Sequence, residues 1–303
     1  MKTLRAEHLG MCFGVRDAIA LAVWTAQTGP LTVLGDLVHN ETVLEQLRSR
    51  GINIAHDAAS VPTRTVMVTA HGASKRALQR IQEHGLKMLE ATCPLVHVAH
   101  RAVARLVREG FHPVIIGKRD HVEVRGIVED LDEYDVILNE KDVQQLKEKR
   151  RFGVTSQTTQ PLERVWRLVA LLRHRFPQSE VRFIDTVCQP TKLRQLAAAE
   201  LASQSDIVIV IGGAHSNNTR ELVATCSHLC PCVRHIQTAE DLRAEWFTGA
   251  ETVGLTAGTS TPDDVIAEVE NRLKALADRA EMPAPSHIRV NREHEGSLTL
   301  HAA

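Results

Sequence analysis

Short β-branched runs alternate along this chain with longer stretches in which apolar residues return every three or four positions. The first period is that of a buried strand and the second that of an amphipathic helix, so their alternation predicts βα units on parallel sheets. Strands are expected at residues 31–34, 65–68, 114–116, 135–138, 152–155, 181–184, 207–211 and 252–255. Helices are expected at 16–28, 42–50, 75–83, 97–108, 162–175, 192–204, 219–229 and 263–280. The fold class is α/β.

Ligands of open parallel sheets collect beyond the carboxyl ends of the strands, which makes the strand-to-helix turns the informative part. Four of these turns are rich in His, Ser and Asn. They are Val38-His39-Asn40-Glu41, Thr69-Ala70-His71-Gly72-Ala73-Ser74, Gly212-Gly213-Ala214-His215-Ser216-Asn217-Asn218-Thr219 and Thr256-Ala257-Gly258-Thr259-Ser260-Thr261-Pro262-Asp263. Asn40 and Ser74 are placed to cap helices, and Pro262 to open one. Capping alone accounts for each turn singly; together they suit a phosphate or diphosphate, because helix N-termini offer free N–H groups and the positive end of the helix dipole. No Walker lysine motif and no Gly-x-Gly-x-x-Gly names a nucleotide.

Two more polar islands follow, Asp120-His121-Val122-Glu123-Val124-Arg125-Gly126 and Ser156-Gln157-Thr158-Thr159-Gln160-Pro161. His121 and Glu123, two apart, are expected on one side of an extended segment. A carboxyl beside a hydroxyl-rich loop suits a proton donor, although a solvated surface Glu reads the same way.

The 303 residues carry a formal net charge of −1, with six Phe, three Trp and one Tyr. That leaves neither a basic field nor stacking platforms for nucleic acid. No apolar run reaches signal-peptide or membrane-span length, so a cytoplasmic protein away from the membrane is expected. Thiols stay reduced there, and the six cysteines read as ligands, catalytic groups or core rather than disulfides. Cys12, Cys93 and Cys188 each stand alone in a Gly/Pro/Thr-rich break, at nearly even intervals, just ahead of a helical stretch. Their spacing predicts three α/β units, 1–95, 96–187 and 188–280, followed by a polar tail, 281–303, with a short apolar alternation at 288–290. Cys226, Cys230, Cys232 and His235 have a zinc-like spacing, but they run from a helix towards a strand at Val233, where packing is the expected role.

Taken in order, Gly-x-Cys-x-Gly-Val-x-x-Ala, Val-His-Asn, Ala-His-Gly-x-Ser, Ala-Thr-Cys-Pro-Leu-Val, His-x-Glu-Val-x-Gly, Ser-Gln-Thr-Thr, Asp-Thr-Val-Cys-x-x-Thr, Ser-x-Asn-Thr and Thr-Ala-Gly-x-Ser-x-Pro form one set. From about Gly10 to about Ala280 the chain resembles the 4-hydroxy-3-methylbut-2-enyl diphosphate reductases, the LytB/IspH family. The resemblance implies three α/β units in pseudo-threefold arrangement around one [4Fe-4S] cluster, held by Cys12, Cys93 and Cys188, with a fourth iron open to the substrate hydroxyl. It implies that His39, His71, His121, Ser216, Asn217, Asn218 and Ser260 hold the diphosphate, and that Glu123 and Thr158 sit by the hydroxyl. The implied reaction is reductive dehydroxylation to isopentenyl and dimethylallyl diphosphates, with electrons from a ferredoxin or flavodoxin. Asn217 stands where the family often has a second serine, Val122 where it often has proline, and Met11 and Phe13 flank the first cysteine where it more often has Phe and a small residue. A divergent paralogue serving as an iron–sulfur redox sensor is the alternative, and a plain phosphate-binding module a third reading.

Overall fold

Ile207-Val208-Ile209-Val210-Ile211 has no polar face, and a strand of that kind must be covered on both sides. In the computed structural model, which describes residues 1–281, it is an inner strand of one of three four-stranded parallel sheets. The chain opens with β1 (Lys2–Arg5), α1 (Phe13–Thr28), β2 (Leu31–Leu34), α2 (Glu41–Ser49), β3 (Asn53–Ala55), β4 (Thr65–Val68), α3 (Lys75–Glu83) and β5 (Lys87–Glu90). It continues through α4 (Pro94–Arg108), β6 (His112–Ile116), α5 (Val122–Val128), β7 (Asp135–Ile137), α6 (Glu140–Gln145), β8 (Arg151–Ser156), α7 (Leu162–Arg175) and β9 (Glu180–Phe183). Then come α8 (Gln189–Ser203), β10 (Ile207–Ile211), α9 (Asn217–Ser227), β11 (Val233–Ile236), β12 (Thr252–Ala257) and α10 (Asp263–Glu281). The alternation expected at 288–290, like the tail from 282 onward, lies outside the described residues. Among the described residues no helix is long and apolar enough to cross a membrane.

The three sheets share one strand order: β3-β2-β4-β5, β7-β6-β8-β9 and β11-β10-β12-β1. Each has its own apolar core, for example Phe152, Leu168 and Leu172 in the second and Ile209, Leu255 and Val269 in the third. The third sheet completes itself with a strand from the far end of the chain, since Lys2 lies opposite Thr252 and Arg5 opposite Leu255. Residues 2–5 therefore do not belong with a first unit running from 1 to 95. The reason is that β1 is a short, half-exposed edge strand, whose polar ends give no clear apolar pattern to read.

Each edge strand, β5, β9 and β1, runs into one of the lone cysteines. Cys93, Cys188 and Cys12 are the N-caps of α4, α8 and α1. These helices begin at Pro94, Gln189 and Phe13, one turn earlier than the apolar period indicates, so each cysteine stands at a helix mouth. Each helix packs against the next sheet round: α1 on β2, α4 on β6 and β8, α8 on β10 and β12. Each cysteine N–H donates to a carbonyl two residues past an inner strand: Cys93 to Ala70 (3.0 Å), Cys188 to Thr158 (3.0 Å) and Cys12 to Thr259 (3.1 Å).

Other differences from the sequence pattern have local causes. His121 and Glu123 are not on an extended segment, because α5 begins between them. The β-branched Val122 and Val124 and the helix-weakening Gly126 favour a strand reading, yet α5 buries Val124, Ile127 and Val128, and Gly126 lies on the Ala73 backbone. The short α6 is set by a capping box between Asn139 and Asp142. Asn40 stands at the N-cap of α2 without capping it; its amide instead donates to the Ser260 carbonyl (3.0 Å), tying the first sheet's turn to the third's. Ser74 does cap α3, accepting from the Ala77 N–H at 2.9 Å.

The turns approach too closely for side chains at one point. A Cβ on Gly213 would run into the His39 carbonyl oxygen and lie 3.1 Å from Asn40 Cα, both backbone atoms that cannot swing away. Gly213→Ala is therefore expected to cost about 1–3 kcal/mol, read as a lower urea midpoint at unchanged m-value. A wild-type midpoint would show that these two turns slide apart freely.

Candidate active site

The turns after β2, β4, β6, β8, β10 and β12 all open towards one region. His39, His71, His121, Ser216, Asn217, Asn218 and Ser260 line a single cavity there, together with Thr159 and Thr259. The two threonines were not singled out in the sequence. Thr159 lies one residue beyond the recognised Thr158, and its hydroxyl takes a hydrogen bond from Gln157 Nε2 at 2.9 Å.

The three imidazoles form a tight cluster, with ring centroids 4.5 Å apart for His39 and His71, 5.1 Å for His39 and His121, and 5.7 Å for His71 and His121. Burial lowers the pKa of all three. His71 falls well below its ordinary value, helped by the neighbouring His39 and His121, and His121 falls to about 3. Lys118, Arg125 and Arg220, beside His56 and His215, stand at the adjoining opening with Asp36 and Asp120. In the third unit, Ser216 caps α9 through the Thr219 N–H, while Asn218 Oδ1 accepts from the Thr259 N–H at 2.9 Å. That leaves Asn218 Nδ2 and the Ser260 hydroxyl buried with no protein partner. Unsatisfied buried donors of this kind cost on the order of 1–3 kcal/mol each unless a ligand takes them.

Glu123 sits in the first turn of α5 and is 1% exposed. Its carboxyl takes two hydrogen bonds from one residue, 2.7 Å from the Thr158 N–H and 2.9 Å from the Thr158 hydroxyl. Burial raises its pKa to about 7 despite both bonds, which act the other way. Its charge acts on Cys93 and Cys188, as does that of Cys12.

Burial lifts the Cys93 thiol, against the opposing N–H groups of Leu95 and Val96, and pushes Cys188 up to about 11, although Sγ lies 3.1 Å from the Thr191 hydroxyl. Thiols raised in this way are poor nucleophiles; a metal that displaces the proton suits them better. A Cβ on Gly14 would lie 2.6 Å from Cys93 Sγ, so the glycine after Cys12 keeps the space beside the second sulfur open. Among the described residues no three His, Cys, Asp or Glu side chains converge on a single ion.

Residues 3–274 match the family model described as LytB protein. The chain belongs to the LytB family. It is 37% identical over 279 residues to the 4-hydroxy-3-methylbut-2-enyl diphosphate reductase of Geobacter sp. (strain M21), covering 91% of this chain and 98% of that one. The enzyme of the same name from Aquifex aeolicus (strain VF5) is 35% identical over 279 residues, covering 90% and 96%. A solved structure of (E)-4-hydroxy-3-methyl-but-2-enyl diphosphate reductase, described as the terminal enzyme of the non-mevalonate pathway, is 35% identical, with TM-score 0.67 over 91% of this chain and 100% of that one. The E-1-hydroxy-2-methyl-but-2-enyl-4-diphosphate reductase from Plasmodium falciparum is 26% identical, with TM-score 0.85 over 90% and 87%.

Two departures from the usual LytB pattern have local accounts. Val122 is the first residue of α5, where proline is also accommodated, since its missing N–H is one a helix start leaves free. Asn217 lines the cavity and reaches across the unit boundary to the Thr159 carbonyl and hydroxyl, at 3.4 and 3.3 Å. Cys226, Cys230, Cys232 and His235 form no common site. Cys226 points at the Ala198 carbonyl, Cys230 at those of Ser205, Asp206 and Cys232, and His235 bonds the Gly212 carbonyl.

The raised pKa of Glu123 has a consequence for stability. It lies above the ordinary 4.5, so the folded protein holds an extra proton between about pH 4.5 and 7 and loses stability as pH rises through that window. The cost above pH 7 is about 3 kcal/mol. In iron-free protein, Glu123→Gln is expected to melt near the wild type at pH 5 and several degrees above it at pH 8. A difference that does not change with pH would show a carboxyl already ionised at pH 5.

Proposed function

We propose that this chain reduces 4-hydroxy-3-methylbut-2-enyl diphosphate to isopentenyl and dimethylallyl diphosphates in the cytoplasm, the reaction its relatives are named for. Two electrons and two protons are consumed, the allylic C–O bond breaks, a C–H bond forms and the oxygen leaves as water. The observation that carries the reading is Glu123, a fully buried carboxyl with a pKa near neutrality, held by Thr158 close enough to act electrostatically on two of the three helix-capping cysteines.

Cys12, Cys93 and Cys188 fit a [4Fe-4S] cluster: they are soft ligands at three helix N-termini, half-buried, with the Cys93 and Cys188 thiols raised by burial and Cys12 close enough to act electrostatically on both. When bound, such a cluster supplies the electrons and a Lewis-acidic iron, and a ferredoxin or flavodoxin would replenish the electrons. The remaining work falls to side chains of the chain. The diphosphate would take the free Asn218 Nδ2 and Ser260 hydroxyl, the turn at Ser216 and Asn217, and the three imidazoles, whose depressed pKa values would rise beside an anion. The same negative charge would favour the protonated form of Glu123. Its carboxyl proton goes to the departing oxygen, since hydroxide is a poor leaving group and water a good one. The Thr158 hydroxyl, with one donor and two acceptor lone pairs, can orient that exchange. A redox sensor would need the cysteines without this proton donor and anion pocket, so the enzyme reading is favoured.

Anaerobically purified protein is expected to be brown, with broad absorbance near ~400 nm, and to hold iron and inorganic sulfide. Cys12→Ser, Cys93→Ser and Cys188→Ser should each lose iron and turnover together. Full iron content in any of the three would remove that cysteine from the ligand set.

Glu123→Gln keeps the shape and removes the acid. Its turnover should fall roughly 10²-fold or more, while iron content and affinity for inorganic diphosphate stay near the wild type. Wild-type turnover under saturating substrate, with chemistry limiting, would move the proton donor elsewhere.

A further inference from the structure

Arg194 lies on α8, the helix that Cys188 caps, and is only 8% exposed. Its guanidinium reaches back to the opposite end of the sequence. Nε and Nη2 both donate to the Gly10 carbonyl, at 2.9 and 2.7 Å, and Nη1 donates to the Pro190 carbonyl at 3.0 Å. Gly10 stands two residues before Cys12, with φ +74 in the left-handed region, which leaves its N–H on the Ala257 carbonyl and its C=O free for the arginine. One side chain thus joins the loop carrying Cys12 to the helix carrying Cys188.

The partners are unusual for a buried cation. All three hydrogen bonds go to neutral backbone carbonyls, and among the described residues no carboxylate pairs with Arg194. A buried guanidinium without a counter-charge is costly. The negative charges that favour it are those of Cys12 and Cys188, while Arg16 acts against it. Burial has the largest effect on the guanidinium and acts against its charge, and the bonds to Gly10 and Pro190 hold the group in place despite that cost.

We propose that Arg194 is a positioning residue with two separable effects: its fork fixes the Cys12 loop relative to Cys188, and its charge favours the more negative, reduced state of the centre those sulfurs hold. The inference rests on the reading that Cys12, Cys93 and Cys188 bind an iron–sulfur cluster. A nearby fixed positive charge stabilises an added electron, so removing it makes reduction harder.

Two substitutions divide the effects. Arg194→Lys keeps the charge and loses the planar two-pronged bond to Gly10; Arg194→Gln keeps some hydrogen bonding and loses the charge. The measurements are iron and sulfide content, iron loss to a chelator under anaerobic conditions, and the midpoint potential from an EPR-monitored titration of the full-length protein. Arg194→Lys should lose iron several-fold faster than the wild type yet keep a reduction equilibrium within about twofold of it. In Arg194→Gln the equilibrium should shift about tenfold towards the oxidised form, which is about 59 mV more negative for a one-electron step. An unchanged potential in iron-replete Arg194→Gln would overturn the charge effect, and wild-type iron retention in Arg194→Lys would overturn the positioning effect. If Arg194→Gln holds no iron, Arg194→Lys carries the test: a potential lowered as far as tenfold despite the retained charge also overturns the proposal. Wild-type protein that binds no iron and sulfide would instead defeat the cluster reading, and the inference with it.

Discussion

The centre of this molecule depends on the pairing of β1 with β12. Three sheets of one strand order, each handing its edge strand to the next unit's helix, make a ring only if the last sheet is completed from the chain's beginning. Without that pairing Gly10 and Cys12 lose their bonds to Ala257 and Thr259, and one of three helix mouths is no longer aimed inward. With it, three N-termini and their partial positive charges share one region, each worth some 0.3–1 kcal/mol towards a nearby anion.

The pocket beside them is governed by one physical effect acting on groups of opposite character. Scarcity of water disfavours charge, so it raises the carboxyl of Glu123 and lowers the imidazoles of His39, His71 and His121. Just below about pH 7, in the absence of an anion, both kinds are mainly neutral. A diphosphate bound as proposed would favour the protonated form of both, drawing protons onto the imidazoles and holding one on the carboxyl. On that proposal, anion binding and proton supply would be linked through charge alone.

The βα alternation and most inner strands were legible because their apolar runs are long and covered on both faces, as in β10. The proposed site residues were legible as an ordered set of turns, and His39, His71, His121, Ser216, Asn217, Asn218 and Ser260 line one cavity. What was hidden depends on partners distant in sequence. β1 has too little pattern of its own, α5 reads as a strand until its apolar face meets the second sheet, and Asn40 looks like a cap while its side chain serves another unit. Arg194 carried no signal at all, since its partner is a backbone carbonyl 184 positions away.

The parallel register of Lys2 with Thr252 also sets an order of assembly. During synthesis, domains generally fold from the N-terminal side as they emerge, and long-range pairings wait for loop closure. Here the first and second sheets can form from contiguous chain, while the segment ahead of Cys12 has no sheet to join until β12 has been made. β1 is thus among the last strands to find its place, and Cys12 reaches its final position only after Cys93 and Cys188 have been supplied with theirs.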